Sequence, residues 1–150
     1  MACTKMVLAK QLGRTIPLVE LGKKCAEYGG YPSLQPGSAG LLYAPYVRFL
    51  KAEYDLHAKI TSPLLLMEIV DTLSDGDFII ASVSPMIRKP TSKPETKGGH
   101  LILMTGYDLD KKVFYLHNPS GIDAASQEYA EVSFTDFKKF FSGRGIVIKS

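Results

Sequence analysis

Two apolar runs of strand length, residues 101–106 (LILMTG) and 113–116 (VFYL), flank the segment YDLDKK. Short apolar runs bounded by turn-forming residues read as buried strands, and two of them around one polar segment read as a hairpin. The glycines Gly98 and Gly99 deliver His100 at the start of the first run, and Asn118-Pro119 closes the second. A strand needs neither residue. The two polar side chains therefore read as a positioned pair rather than a packing choice.

Around this hairpin the chain divides into a helical half and a sheet half. Residues 3–13 (CTKMVLAKQLG) carry Met6, Val7, Leu8 and Leu12 on a helix-compatible stripe, with Gly13 at the stop. A second helix is expected over residues 17–30, with Pro17 near its first turn and Gly29-Gly30 at its end. A Pro/Gly/Ser-rich loop over 31–45 leads to a third helix over 46–56. Ser62 is expected to cap a fourth, with Pro63 at its first position, running to residue 73. Residues 77–84 (DFIIASVS) read as a buried strand, followed by a Pro/Lys loop over 85–97 and the hairpin. Ser133, with Asp136 three residues on, starts a short helix over 134–141, and RGIVIKS is a last strand. Helices first and then a mostly antiparallel sheet is the α+β order, in one domain spanning residues 1–150.

Composition narrows the function classes. The net charge is only +3 and the basic residues are scattered, so nucleic acid is not implied as a partner. No run reaches the roughly 18–20 apolar residues needed to cross a bilayer, and SPLLLMEIVDTL is short and carries Glu68 and Asp71. The N-terminal residues turn polar too soon for a secretory signal, so the expected location of a complete chain of this sequence is the cytoplasm. Two cysteines and three histidines show no metal-ligand spacing, and neither a metal nor a cofactor is expected.

Cys3 sits at the start of the first expected helix, where unpaired backbone N–H groups and the helix dipole favour an anion. A thiolate there is expected to have a lowered pKa, and a histidine beside it would complete the ion pair of a thiol nucleophile. Taken alone, a terminal cysteine more often has no role, and a lone histidine at a strand end is more often structural. Cys25, in an apolar stripe with Leu18 and Leu21, is expected in the core. His57, near a helix end, suits a solvated cation.

His100 and His117 compete for the functional position, and hairpin register separates them. An odd-numbered loop such as DLDKK makes paired residue numbers sum to an even value. Asn118 then faces Ile102, one diagonal step from His100 on the same face. An even-numbered loop puts His117 there instead. In the first case Asn118 would accept a hydrogen bond from the imidazole and fix its orientation.

The order of an N-terminal cysteine helix, GGHLILMTGYD, VFYLHNPSG and EVSFTDFKKFFSGRGIVIKS resembles the papain-like cysteine peptidases that process bacteriocin leaders at double-glycine sites, and their peptidase-like relatives. The similarity covers nearly the whole chain. It implies a papain-like fold, N-terminal helices packed on the sheet, with Cys3 matching the nucleophile, His100 the base and Asn118 the orienting residue. It departs from the pattern in two places. The family carries a glutamine shortly before the cysteine, where this sequence has only Met1-Ala2, and Cys3-Thr4 replaces the common Cys-Gly. Losing one oxyanion donor costs roughly 100- to 1,000-fold in rate.

The resemblance implies hydrolysis of a peptide or amide through a thioester, with a peptide or protein, such as a double-glycine leader, as substrate. The same cleft could grip a peptide without cutting it, or pass the acyl group to an amine instead of water. Gly98 and Gly99 are expected to let the backbone approach closely beside His100 and leave a lane for an extended substrate.

Overall fold

The computed structural model describes residues 1–32 and 40–150. Its elements are α1 (Ala2–Leu12), α2 (Leu18–Glu27), α3 (Tyr43–Tyr54), β1 (Ala58–Thr61), α4 (Leu66–Ser74), β2 (Phe78–Val83), a 3-10 turn (Pro85–Arg88), β3 (His100–Asp108), β4 (Val113–His117), α5 (Ala124–Gln127), β5 (Ala130–Ser133), α6 (Phe134–Phe140) and β6 (Phe141–Ile148). The strands form one sheet in the order β1-β6-β2-β3-β4-β5, every pair antiparallel. Of the expected loop over 31–45, residues 33–39 lie outside the described residues.

Local chemistry sets the boundaries. Gly13 ends α1 with φ 62°, the left-handed conformation that glycine adopts without steric cost. Helix α3 starts at Tyr43, earlier than expected, and takes Pro45 into its first turn, where the missing N–H would have no intrahelical partner anyway. The fourth helix is not capped by Ser62. The Leu64 N–H instead donates to the Gly143 carbonyl at 2.7 Å, holding that segment against β6. Helix α4 therefore opens only at Leu66, where the Leu65 N–H donates to the Glu68 carboxylate at 2.7 Å. Ser133 caps α6 as expected, its hydroxyl accepting from the Asp136 N–H at 3.0 Å.

The sheet divides the core into two layers. On one face α1, α2 and α3 supply Cys3, Val7, Leu8, Leu21, Cys25, Tyr46, Phe49 and Leu50 against Ile80, Leu103, Ile146 and Ile148. On the other, α4, α6 and the 3-10 turn cover Ile79, Ala81, Ile102, Met104, Phe114 and Leu116 with Ile69, Ile87, Phe137 and Phe140. Strands buried on both faces explain why β2 reads as an unbroken apolar run. At roughly 25 cal/mol per Å² of apolar surface removed from water, these two layers are the main source of stability.

The β3–β4 hairpin corrects the expected loop. Asp108 pairs with Val113, so four residues, 109–112, make the turn rather than five. That even count alone would have set His117 on the His100 face. Between Met104 and Gly106, however, the register shifts at Thr105, and beyond this bulge Met104 pairs with Leu116 and Leu103 with His117. Continuing that register sets Asn118 against Ile102, as expected, although through a bulge and not through the turn.

Candidate active site

Two of the sequence signals meet at the first residues of β3, and the third reaches the same strand from its other side. Asn118 follows β4 and is almost fully buried, 2% exposed. Its backbone is pinned twice: its N–H donates to the Gln127 carbonyl at 2.8 Å, and its carbonyl accepts from the Gly121 N–H at 3.0 Å. Its side-chain Oδ1 accepts from the Ser120 N–H at 3.0 Å and lies 2.7 Å from His100 Nε2.

The protons follow from that geometry. A backbone N–H can only donate, so the atom facing Ser120 is the amide oxygen and the amide orientation is fixed. His100 Nε2 must then carry the hydrogen, which leaves Nδ1 with its lone pair as the basic atom. Burial lowers the His100 pKa below its ordinary 6.5; the Asn118 bond opposes this, and the Arg88 charge adds to it. The imidazole is neutral near neutral pH.

Cys3, the second residue of α1, is 5% exposed and belongs to the α1–α3 layer. Its thiol donates to the Leu101 carbonyl, with Sγ 3.6 Å from the oxygen, beside His100 in sequence. Strand alternation carries the His100 Cβ to the other face with Ile102 and Met104, opposite Val83. Thiol and imidazole thus approach the head of β3 from two sides, and no hydrogen bond joins them among the described residues.

The expected low thiol pKa is not found. Desolvation pushes the Cys3 thiol up to about 11, with the N-terminal ammonium and a backbone hydrogen bond pulling weakly the other way. Burial decides the sign here, because a thiolate stripped of water loses more than the helix terminus returns. Cys25 lies in the core as expected, fully buried, and its thiol is likewise raised to about 11 by burial.

The remaining residues fall into place around these three. Thr4, standing where the resembling family has glycine, forms a buried 2.9 Å hydroxyl–hydroxyl bond with Tyr46 and ties α1 to α3. Gln11 donates to the Lys149 carbonyl at 3.0 Å, far along the helix from Cys3. Gly98 and Gly99 adopt φ 104° and 90°, so backbone conformation itself demands glycine at both. A Cβ on Gly98 would meet Ser82 and Ser142 at 3.5 and 3.7 Å, whereas one on Gly99 would point into open space.

Two cavities border Asn118. The larger, about 950 Å³, lies between α1 and the β3–β4 pair, with Ala2, Met6, Lys10, His117 and Tyr129 among its walls. Neither Cys3 nor His100 lines it. His117 does, its Nδ1 accepting from the Tyr129 N–H at 3.2 Å and its ring set edge-on to that tyrosine. The smaller cavity, about 180 Å³, lies on the opposite side and is lined by Ile87, Arg88, Leu116 and Val132. Sequence reasoning passed over Arg88 because it sits in a loop rich in lysine and proline. No group of three metal-ligating side chains clusters among the described residues, and no described helix is long and apolar enough to cross a membrane.

Comparison with known proteins bears on family and fold. The profile of the Peptidase_C39 like family matches residues 1–146. No curated protein matches the sequence. Among solved structures, a candidate C39-like peptidase from Bacillus anthracis superposes with a TM-score of 0.56 at 13% identity, over 79% of this chain and 64% of that one. The chain thus spans less than two thirds of that protein's length, and the likeness is one of fold.

Proposed function

Because the chain belongs to the Peptidase_C39 like family, we propose that it is a cysteine peptidase-like hydrolase acting on a peptide or amide through Cys3, His100 and Asn118. The observation that carries this reading is the 2.7 Å bond from His100 Nε2 to Asn118 Oδ1. It leaves Nδ1 as the free base, at the strand end where the Cys3 sulfur already touches the neighbouring carbonyl.

For reaction, the thiol leaves the Leu101 carbonyl and gives its proton to His100 Nδ1. Sulfur attacks the scissile carbonyl carbon, and the tetrahedral oxyanion forms near the Cys3 N–H at the start of α1. As the C–N bond breaks, the imidazolium returns its proton to the leaving amine, and a thioester remains. Water then attacks, giving a proton to His100, and the carboxylic acid leaves as the thiol re-forms. An amine in place of water would make the second step an acyl transfer.

The resting site is latent on this reading, because thiol and imidazole reach β3 from two sides and catalysis requires substrate binding to bring them together. One observation favours a second reading, a cleft that holds peptides without cutting them: the thiol is buried, raised to about 11 and not bonded to His100.

The two readings separate on a proteome-derived peptide library analysed by mass spectrometry. The hydrolase reading expects new termini with the intact protein and none with Cys3→Ala or His100→Ala. No cleavage by the intact protein, or equal cleavage by Cys3→Ala, would overturn it. Adding hydroxylamine tests for the intermediate, since hydroxamate products require the thioester.

A further inference from the structure

The smaller cavity beside Asn118 carries one charge without a partner. Its floor is apolar, with Ile87, Leu116, Ala130 and Val132 all buried. At about 180 Å³ it has room for roughly six waters at ~30 Å³ each, which is the scale of one side chain. Two carboxylates border it. That of Asp123 is committed, accepting from the Ser126 N–H at 2.9 Å as the cap of α5. Glu131 is the exposed residue between the buried Ala130 and Val132 of β5, so strand alternation turns its side chain away from the floor. Arg88, the last residue of the 3-10 turn, is exposed and makes no ion pair with any described residue. Its charge is nonetheless felt at the His100 imidazole.

We infer that Arg88 is a specificity determinant whose guanidinium receives a carboxylate of the bound peptide, seated in this cavity against Asn118. A guanidinium offers a planar fork of donors that matches a carboxylate bidentately. The apolar floor accepts the methylenes of an acidic side chain, and the low-dielectric wall makes the pair stronger than one held in open water. Position matters as much as charge. Asn118 lines the cavity and holds His100, so a carboxylate docked there lies against the residue that orients the imidazole. The inference deepens the hydrolase reading by naming its substrate class, peptides with an anionic group beside the scissile bond, yet the contact itself needs no cleavage.

The test is binding of Cys3→Ala protein to an array of synthetic peptides. Each acidic peptide is paired with its Gln or Asn counterpart, and each free C-terminus with its amide. A pair made by an exposed guanidinium should favour the acidic member by roughly two- to fivefold. Arg88→Gln should abolish that preference, and Arg88→Glu should shift it to lysine-bearing peptides. Loss on amidation assigns the terminus as the source of the carboxylate, and loss on Glu→Gln replacement assigns a side chain. Acidic preference that persists in both Arg88 variants, or no preference in the parent, overturns the inference. Acidic preference intact in an array whose peptides the unmutated protein never cleaves would instead remove the hydrolase reading alone.

Discussion

Asn118→Ala tests the centre of the site. The substitution removes the acceptor of two hydrogen bonds, from His100 at 2.7 Å and from Ser120 at 3.0 Å, at a position only 2% exposed. Ser120 is exposed and its N–H recovers water, whereas the half-buried imidazole N–H does so less well. One lost bond with a poorly satisfied donor, plus a small cavity, costs about 2–4 kcal/mol. At ~2–4 °C per kcal/mol for a chain of this size, the melting temperature should fall by about 5–15 °C. The pH dependence carries the sharper signature. A histidine whose folded pKa is lowered binds its proton more readily when unfolded, so stability drops as pH falls from 6.5 toward the folded value. The Asn118 bond is the cause that raises the His100 pKa, so without it the folded value sinks further and the acid-side loss deepens. Long-range proton–nitrogen spectra should show the Nε2–H tautomer in the parent and a lower titration midpoint in Asn118→Ala, while Asn118→Asp, which keeps an acceptor, restores or raises it. A parent imidazole protonated at Nδ1, or a midpoint unmoved by the alanine, would refute the reasoning.

Three further outcomes are expected, the last with its control. With its thiol near 11, Cys3 of the free protein should alkylate slowly with iodoacetamide at neutral pH and accelerate only toward pH 11; rapid reaction at mildly acidic pH would contradict the resting arrangement. Because both thiols are raised in the fold, their contribution to stability should be complete below pH 9 and lost between 9 and 11, which alkaline melts would show. Gly99→Val, at φ 90°, should cost about 1–3 kcal/mol through backbone strain although its Cβ meets nothing, so the variant loses melting temperature as well as any activity. Gly22→Ala, inside α2 with open space around it, is the control and should instead stabilise by about 0.5–1 kcal/mol; a matching loss would refute the strain argument.

What the sequence made legible follows the strength of its local signals. The long apolar strands β2 and β3, the Gly13 stop and the Ser133 cap are written in neighbouring residues and were readable there. Strands β1 and β5 were not. Each has four residues, and they are the two edges of the sheet, with β1 defined only by pairing to β6 almost ninety residues away. The His100–Asn118 contact was legible because both residues sit at strand ends where polarity is out of place. The state of Cys3 was not, since the helix terminus is visible in sequence and the depth of burial that outweighs it is set by α2 and α3 packing over the thiol. Arg88 is visible only once the turn after β2 is folded beside Asn118.

The bulge at Thr105 has a consequence for length change. In an uninterrupted hairpin of this sequence, closing the turn with one residue more or fewer would exchange His117 for Asn118 beside His100. Here an extra residue on β3 already absorbs one such step, so turn length and site geometry are separate variables joined by a simple arithmetic. With this chain length, a five-residue turn on a regular ladder and the observed four-residue turn with the bulge at Thr105 both set Asn118 against Ile102. Chains with the same number of residues between this histidine and asparagine should therefore be compared by the sum of turn and bulge, since the asparagine stays on the histidine only while that sum keeps its parity.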